Sequence, residues 1–305
     1  MSRMTKAMRW TLGVLALSGA LPLPAHADSG PDSAKHRGPA IPAKITKVVT
    51  LAPSLSELVL ALDAGDLLVG VTRFDDDARV ARLPRIGGYN DPEPESVLKL
   101  KPDLVLAQPA PENRGPVETL GRVGIPVEAF ALGTVEEIEH ALTSVGALLD
   151  RKAQAAALVA AIHAARELAR TRPVVLEADD VHRRDAQRGA TTRPVRALLV
   201  FGFEPLVVAG RSGFAGQLLA DLGAVNAAED DRSFFRFSAE AAALSRPDVI
   251  VLCGVEETQG RTALPGLDAV PRATLRSTAL LHPGPRIPEA LEDLRAALGS
   301  ANKKK

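Results

Sequence analysis

The segment ESVLKLKPDLVLA, Glu95–Ala107, reads as a short helix, a Pro102-Asp103 turn and an unbroken apolar strand. Proline cannot continue the helix, and an aspartate side chain can hydrogen-bond the turn backbone. The same phrase returns as EAAALSRPDVIVL, Glu240–Leu252, with the glutamate, the Pro-Asp pair and the apolar run at matching offsets. A continuous apolar strand fed by a helix is what a strand buried on both faces looks like, as in a parallel sheet. Two such phrases far apart in the chain predict two α/β units.

The flanking sequence supports that reading. Ile45–Ala52 reads as a strand, Ser54–Gly65 as a helix with Ser54 and Glu57 at capping-box spacing, and 67–72 as a second strand. After the Glu95 phrase, 116–124 reads as a helix and 126–132 as a strand. Thr134–Arg172 is alanine-rich, carries apolar residues at helical spacing and lacks proline; it predicts two helices, the second long, with Asp150 as its cap. Alternation resumes with strand 195–202, helix 213–224, helix 238–245 and strand 247–254, and Ile287–Ser300 is an amphipathic helix. The expected fold class is α/β, with two Rossmann-like lobes of mainly parallel sheet joined by a single long helix and a cleft between them. The expected boundaries are an N-terminal lobe at 45–147, a linking helix at 148–172, a polar loop at 173–195, a C-terminal lobe at 196–300 and a tail at 301–305.

The first 27 residues have the form of an export signal. Arg3, Lys6 and Arg9 precede the short apolar run Trp10–Leu23, and Ala25 and Ala27 supply small residues for cleavage after Ala27. The run is short for a membrane span, and Pro22 and Pro24 interrupt its end. Asp28–Lys44, polar and rich in Pro and Gly, reads as a flexible leader. Cleavage would leave a mildly acidic chain with no tryptophan and with Tyr89 as its one tyrosine. With 46% hydrophobic and 24% charged residues and a formal net charge of +0, the composition is that of a globular protein and does not suggest nucleic acid as a partner. Cys253 is the one cysteine, which excludes an internal disulfide, and its apolar setting reads as a buried inert thiol.

Catalytic motifs are missing. There is no G-x-S-x-G elbow, P-loop, C-x-x-C or H-E-x-x-H, and GRSGFAG (Gly210–Gly216) lacks the start of a dinucleotide fingerprint. His182 beside Asp179, Asp180 and Asp185 matches no metal-site spacing, and His163 reads as a histidine on a helix face. An exported two-lobed chain without these motifs is read as a binder rather than an enzyme, with its ligand in the cleft. An exported enzyme with an unfamiliar site and a sensor pair of lobes are the competing classes.

At this point the residues resemble a known family. VVTLAPSLSELVLALDAGDLLVGVT, IGGYNDPEPESVLKLKPDLVLA, GQLLADLGAVNAAED, FSAEAAALSRPDVIVL and HPGPRIPEALEDL together are similar to the periplasmic substrate-binding proteins of ABC importers for cobalamin, haem and iron-siderophore complexes. The resemblance implies periplasmic location, a permease dimer with its ATPase as partner, a metal chelate as cargo and a monomeric protein. It also implies that Glu95 and Glu240, one per lobe, dock on permease arginines; by physics alone they could be ordinary surface glutamates near helix starts. Ligand-contact candidates on the expected cleft loops are Ser54, Phe74, Tyr89, Gln108, Arg211, Phe214, Phe234, Phe235 and Arg236. Corrinoid receptors of the family set aromatics against the ring system; here Gln108 stands where a tryptophan is expected, and the run Phe234–Phe237 offers phenylalanines instead. A corrinoid is the preferred cargo. Haem would want Tyr89 or His282 as an axial ligand, and an anionic ferric siderophore would favour Arg211 and Arg236.

Overall fold

Each Pro-Asp pair begins a central strand and ties it to the strand beside it. Asp103 accepts from the Thr46 N–H (2.7 Å), the Thr46 hydroxyl (2.7 Å) and the Lys47 N–H (3.0 Å), while its own N–H donates to the Lys47 carbonyl. Asp248 does the same in the second half. It accepts from the Arg196 N–H (2.8 Å) and bidentately from Arg193 (2.6 and 2.7 Å), and its N–H donates to the Arg196 carbonyl. The residues just before the prolines, Lys101 and Arg246, both lie in the left-handed region, with φ of 50° and 46°. The repeated phrase is therefore one structural device used twice.

The computed structural model describes residues 35–177, 192–255 and 264–300. The first lobe is a five-stranded sheet of β1 (Lys35–Arg37), β2 (Val48–Thr50), β3 (Leu68–Gly70), β4 (Leu104–Ala107) and β5 (Val127–Ala129), in the order β1-β5-β4-β2-β3. β2 to β5 pair in parallel, and β1 pairs antiparallel with β5. Strand β1 falls inside the leader expected at 28–44, so that leader includes a sheet edge. Helices α1 (Pro53–Ala61), α2 (Pro94–Leu100) and α3 (Arg114–Arg122) complete the lobe.

Two helices follow, α4 (Val135–Leu148) and the 20-residue α5 (Lys152–Thr171). α4 opens with a full capping box between Thr134 and Glu137. The cap expected at Asp150 is not one: Asp150 has φ 55°, the N-cap is Arg151, and no side chain caps α5. α5 buries only Ala155, Ile162 and Ala169, one seven-residue stripe. His163 is on its exposed side, paired with Glu139 at 3.0 Å.

The ends of the expected polar loop form a small hairpin, β6 (Val175–Glu177) with β7 (Thr192–Pro194); the Asp179, Asp180, His182 and Asp185 group lies outside the described residues, as do the segments expected to be an export signal and a tail. The second lobe contains β8 (Arg196–Phe203), β9 (Leu206–Ala209), α6 (Phe214–Asp221), β10 (Val225–Asn226), β11 (Phe234–Arg236), α7 (Ala239–Leu244), β12 (Val249–Leu252), β13 (Arg272–Thr274) and α8 (Ile287–Gly299). Its sheet runs β11-β9-β8-β12-β13, with β10 beside β8. The β8–β9 hairpin and β11 are antiparallel additions to the parallel β8, β10, β12 and β13.

One core passes through both lobes. Val48, Leu58 and Leu106 of the first, Ile138, Val145 and Ile162 of α4 and α5, and Leu199, Leu218, Val251 and Leu294 of the second belong to a single buried cluster. The outer sheet faces have their own cores, around Val105 and Val127 in the first lobe and around Val200 and Ile250 in the second. Cys253 closes the strand end of β12, fully buried, and burial pushes its thiol well above the usual range.

Candidate ligand cleft

The parallel strands of each lobe end at a carboxyl edge, where open α/β sheets carry their ligand loops. In the first lobe the loop after β3 is knotted by Asp75, which accepts from the Thr72 N–H (2.8 Å) and hydroxyl (2.6 Å); the Phe74 N–H donates to that hydroxyl in turn (3.2 Å). The knot holds Phe74 out, 56% exposed, with the Arg73 guanidinium over its ring at 5.1 Å. Arg73 is itself paired with Asp91.

The loops of Tyr89 and Gln108 are joined by Asn113. This buried side chain donates to the Tyr89 carbonyl (3.1 Å) and the Gln108 carbonyl (2.9 Å) and accepts from the Ala110 N–H (3.2 Å). Tyr89 and Gln108 are half-buried. The Tyr89 hydroxyl donates to the Pro109 carbonyl at 3.4 Å, and burial, with Glu112 nearby, pushes the phenol up to about 12. No sequence motif marks Asn113; its role depends on two carbonyls that the fold brings to it.

Ser54 is buried in the first turn of α1, whose N-cap is Ala52 with no side-chain bond. The capping box expected between Ser54 and Glu57 does not form, because the helix begins at Pro53 and Ser54 lies inside its first turn; Glu57 is used elsewhere. It accepts from Arg286 through both carboxylate oxygens (3.0 and 3.1 Å) and meets His282 Nδ1 at 2.7 Å. Burial works against the Arg286 charge, but the Glu57 hydrogen bond and the Glu57, Glu289 and Asp76 charges together outweigh it and raise the guanidinium's pKa. These contacts cross from α1 to the segment before α8 and so bridge the lobes. A second bridge runs from α6 to the start of α4: Phe214 N–H donates to the Gly133 carbonyl (2.7 Å), and Gln217 accepts from Val135 N–H (2.8 Å) and donates to Glu136 (3.0 Å).

Two of the predicted contacts prove to be core. Phe214 is the first residue of α6 and is 1% exposed, packed in the shared core. Phe235 is 7% exposed, on the outer face of the second sheet between Phe237 and Arg232. Strand alternation accounts for this: β11 sends Phe235 inward and leaves Phe234 and Arg236 exposed. Phe234 packs edge-on against Phe201, with centroids 4.8 Å apart. Phe201 and Tyr89 are both partly buried against the core that runs through the lobes. Arg211 is exposed and paired with Asp231 at 3.1 Å. GRSGFAG is a packing motif: a Cβ at Gly210 would strike the Arg232 carbonyl, and one at Gly216 the Gly210 carbonyl.

The matched glutamates stand in the first turns of α2 and α7, both exposed. Each helix leads into a parallel strand and therefore begins at the carboxyl edge of its sheet. Ser238 caps α7 by accepting from the Ala241 N–H (3.0 Å), and the Glu240 carboxyl is held below its ordinary value by its own backbone N–H and by Ser238.

The family model for periplasmic binding proteins matches residues 48–264. This chain belongs to the periplasmic binding protein family. Among this binding protein's curated relatives are the vitamin B12-binding proteins of Yersinia pestis, 28% identical over 83% of this chain and 86% of that one, and of Pectobacterium atrosepticum, 25% identical over 83% and 88%. Among solved structures, the apo periplasmic haem-binding protein of Roseiflexus sp. RS-1 matches with a TM-score of 0.69 and 25% identity, covering 84% of this chain and 99% of that one. The vitamin B12-binding protein of Vibrio cholerae matches in fold, with a TM-score of 0.67 over 86% and 99% at 20% identity. These relatives are binding proteins by name, and the two-lobed architecture is theirs.

Proposed function

We propose that this binding protein captures a corrinoid, cobalamin or a close analogue, in the periplasm and hands it to an ABC import permease. The observation that supports a corrinoid over haem is the state of Tyr89. Haem needs an axial group from its protein, and a tyrosine serves as tyrosinate. Here the phenol is turned onto a carbonyl and its pKa is raised to about 12, which works against that role. Cobalamin brings both axial ligands with it and asks its receptor for apolar surface and polar contacts. Phe74, Phe234, Gln108 and Arg236 are exposed or half-buried side chains of those kinds at the lobe edges. The vitamin B12-binding relatives favour the same cargo.

Haem keeps one specific point in its favour. Glu57 engages His282 at Nδ1, and a carboxylate on that nitrogen orients an imidazole to ligate through Nε2. Titration of the purified protein with cyanocobalamin and with hemin separates the two. A thermal shift with cyanocobalamin and no Soret change with hemin is expected. A Soret shift that His282→Ala abolishes, without a cyanocobalamin response, would transfer the assignment to haem.

Glu95 and Glu240 are the docking charges in this reading. Two carboxylates, one per lobe at equivalent edges, suit a two-fold permease dimer, and such pairs steer and orient encounter more than they add affinity. The double variant Glu95→Ala with Glu240→Ala is expected to bind ligand normally and to lose most uptake. Unimpaired uptake would refute docking.

A further inference from the structure

We propose that Leu98 and Leu244 are apolar anchors of the same docking face, each entering an apolar recess beside the cation that receives its glutamate on an importer permease dimer. The proposal rests on the docking role of Glu95 and Glu240 and adds the contact that holds the complex once charge has oriented it. Among the described residues, seven large apolar side chains are exposed. Two of them sit on α2 and α7, helices of only seven and six residues. Leu98 is three residues beyond Glu95 and Leu244 four beyond Glu240, the spacings that put two side chains on one helix face. Both remain accessible, Leu244 far more than Leu98. Val97 and Ala242, wholly buried, supply the inward faces of these helices, while Leu98 is 37% and Leu244 79% exposed.

Single exposed leucines are ordinary. A glutamate with an exposed leucine about one turn beyond it, at i+3 on one short helix and i+4 on the other, stands at equivalent edges of the two lobes. Exposed ion pairs are screened by salt and hold little by themselves. Burial of a leucine side chain is not screened and is worth on the order of ten-fold in affinity or more. The partner that fits is a pair of identical subunits, each presenting a cation next to an apolar hollow.

The test is photocrosslinking of the full-length protein in its own host. The photoreactive residue p-benzoylphenylalanine replaces Leu98, Leu244, Glu95, Glu240 or, as a control, the exposed Leu168 of α5, one at a time. Adducts from positions 98 and 244 to one and the same multispanning permease, with none from 168, are the expected result. Adducts from 95 and 240 without any from 98 and 244 would overturn the anchors and leave glutamate docking standing. Silence at all four would overturn both readings. An equal yield at 168, or capture only of proteins other than a permease, would also overturn the anchors. In the same cells, Leu98→Ala with Leu244→Ala should cut the adduct at 240 by about ten-fold or more at unchanged ligand-induced thermal shift; an unchanged yield counts against the anchors.

Discussion

Asp103 and Asp248 show how much a single carboxylate can carry in this fold. Each satisfies backbone donors at the amino end of its sheet's first core strand and so sets where two neighbouring strands begin. Asp103 is held below the usual carboxylate range by the Thr46 hydroxyl and the Thr46 and Lys47 amides; Asp248 is held low, against its burial, by Arg193 and the Arg196 amide. A carboxyl depressed in the folded state stabilises fully above its unfolded value near ~4, and that stability is lost as pH falls through the folded value. Asp103→Asn and Asp248→Asn should each cost about 2 kcal/mol at pH 7, and the gap to the parent should narrow below about pH 4. Denaturant midpoints at pH 7 and pH 3 measure it; a gap that does not change with pH would show that the charge is irrelevant. The Pro-Asp turn was legible in the sequence, because a proline beyond the first turn cannot continue a helix. The partners were not, since Thr46 and Arg196 are more than fifty residues away. Tyr89 and Glu57 divide in the same way: their chemistry is in their names, and their roles come from Pro109, His282 and Arg286.

Elements were legible where their pattern is local. The long helix was readable from spacing, and the Thr134–Glu137 capping box was there to be read, whereas the Ser54–Glu57 pair at the same spacing falls inside α1, which starts one residue earlier, and Glu57 binds a distant arginine. β11 was seen as an aromatic run, and only its pairing with β9 decided which phenylalanine faces out. α5 was expected to link the lobes, but its attachment depends on charges that its own pattern does not reveal. Asp221 of α6, 6% exposed, pairs with Arg166 at 2.6 Å and Arg170 at 2.8 Å, and Arg166 also reaches Glu136 of α4. Asp221 is buried and Arg166 largely so, and removing one member of such a pair leaves the other charge poorly compensated. Asp221→Ala should cost about 3 kcal/mol and speed amide exchange along α5 more than in β8 or β12. Exchange that rises evenly over the molecule would show that Asp221 does not hold α5 in particular.

For the whole molecule the decisive feature is the core shared between the lobes. A hinged pair of domains would have two cores and a flexible joint. Here α4, α5, α6 and α8 pack into one cluster with both sheets, and the Glu57 and Gln217 bridges tie the lobes at separate places. Such a body should close little on its ligand. Spin labels at Val123→Cys and Val225→Cys, with Cys253 buried and out of reach of the reagent, should report a change in distance of less than about 2 Å on adding cyanocobalamin. A shift of about 5 Å or more would mean hinge closure.

By itself the sequence determined the two α/β units, the long helix between them, the Pro-Asp turns and the matched glutamates. These follow from periodicity, from proline's missing N–H and from spacing along a helix, all short-range properties of the chain. Only the tertiary structure decided that the two lobes share a core, that Phe214 and Phe235 belong to packing while Phe74 and Phe234 stay exposed, and that Glu57 binds an arginine from the other end of the chain. Those outcomes depend on which surfaces meet. A side chain's burial and partner are set by residues that may lie two hundred positions away, and no local pattern encodes them.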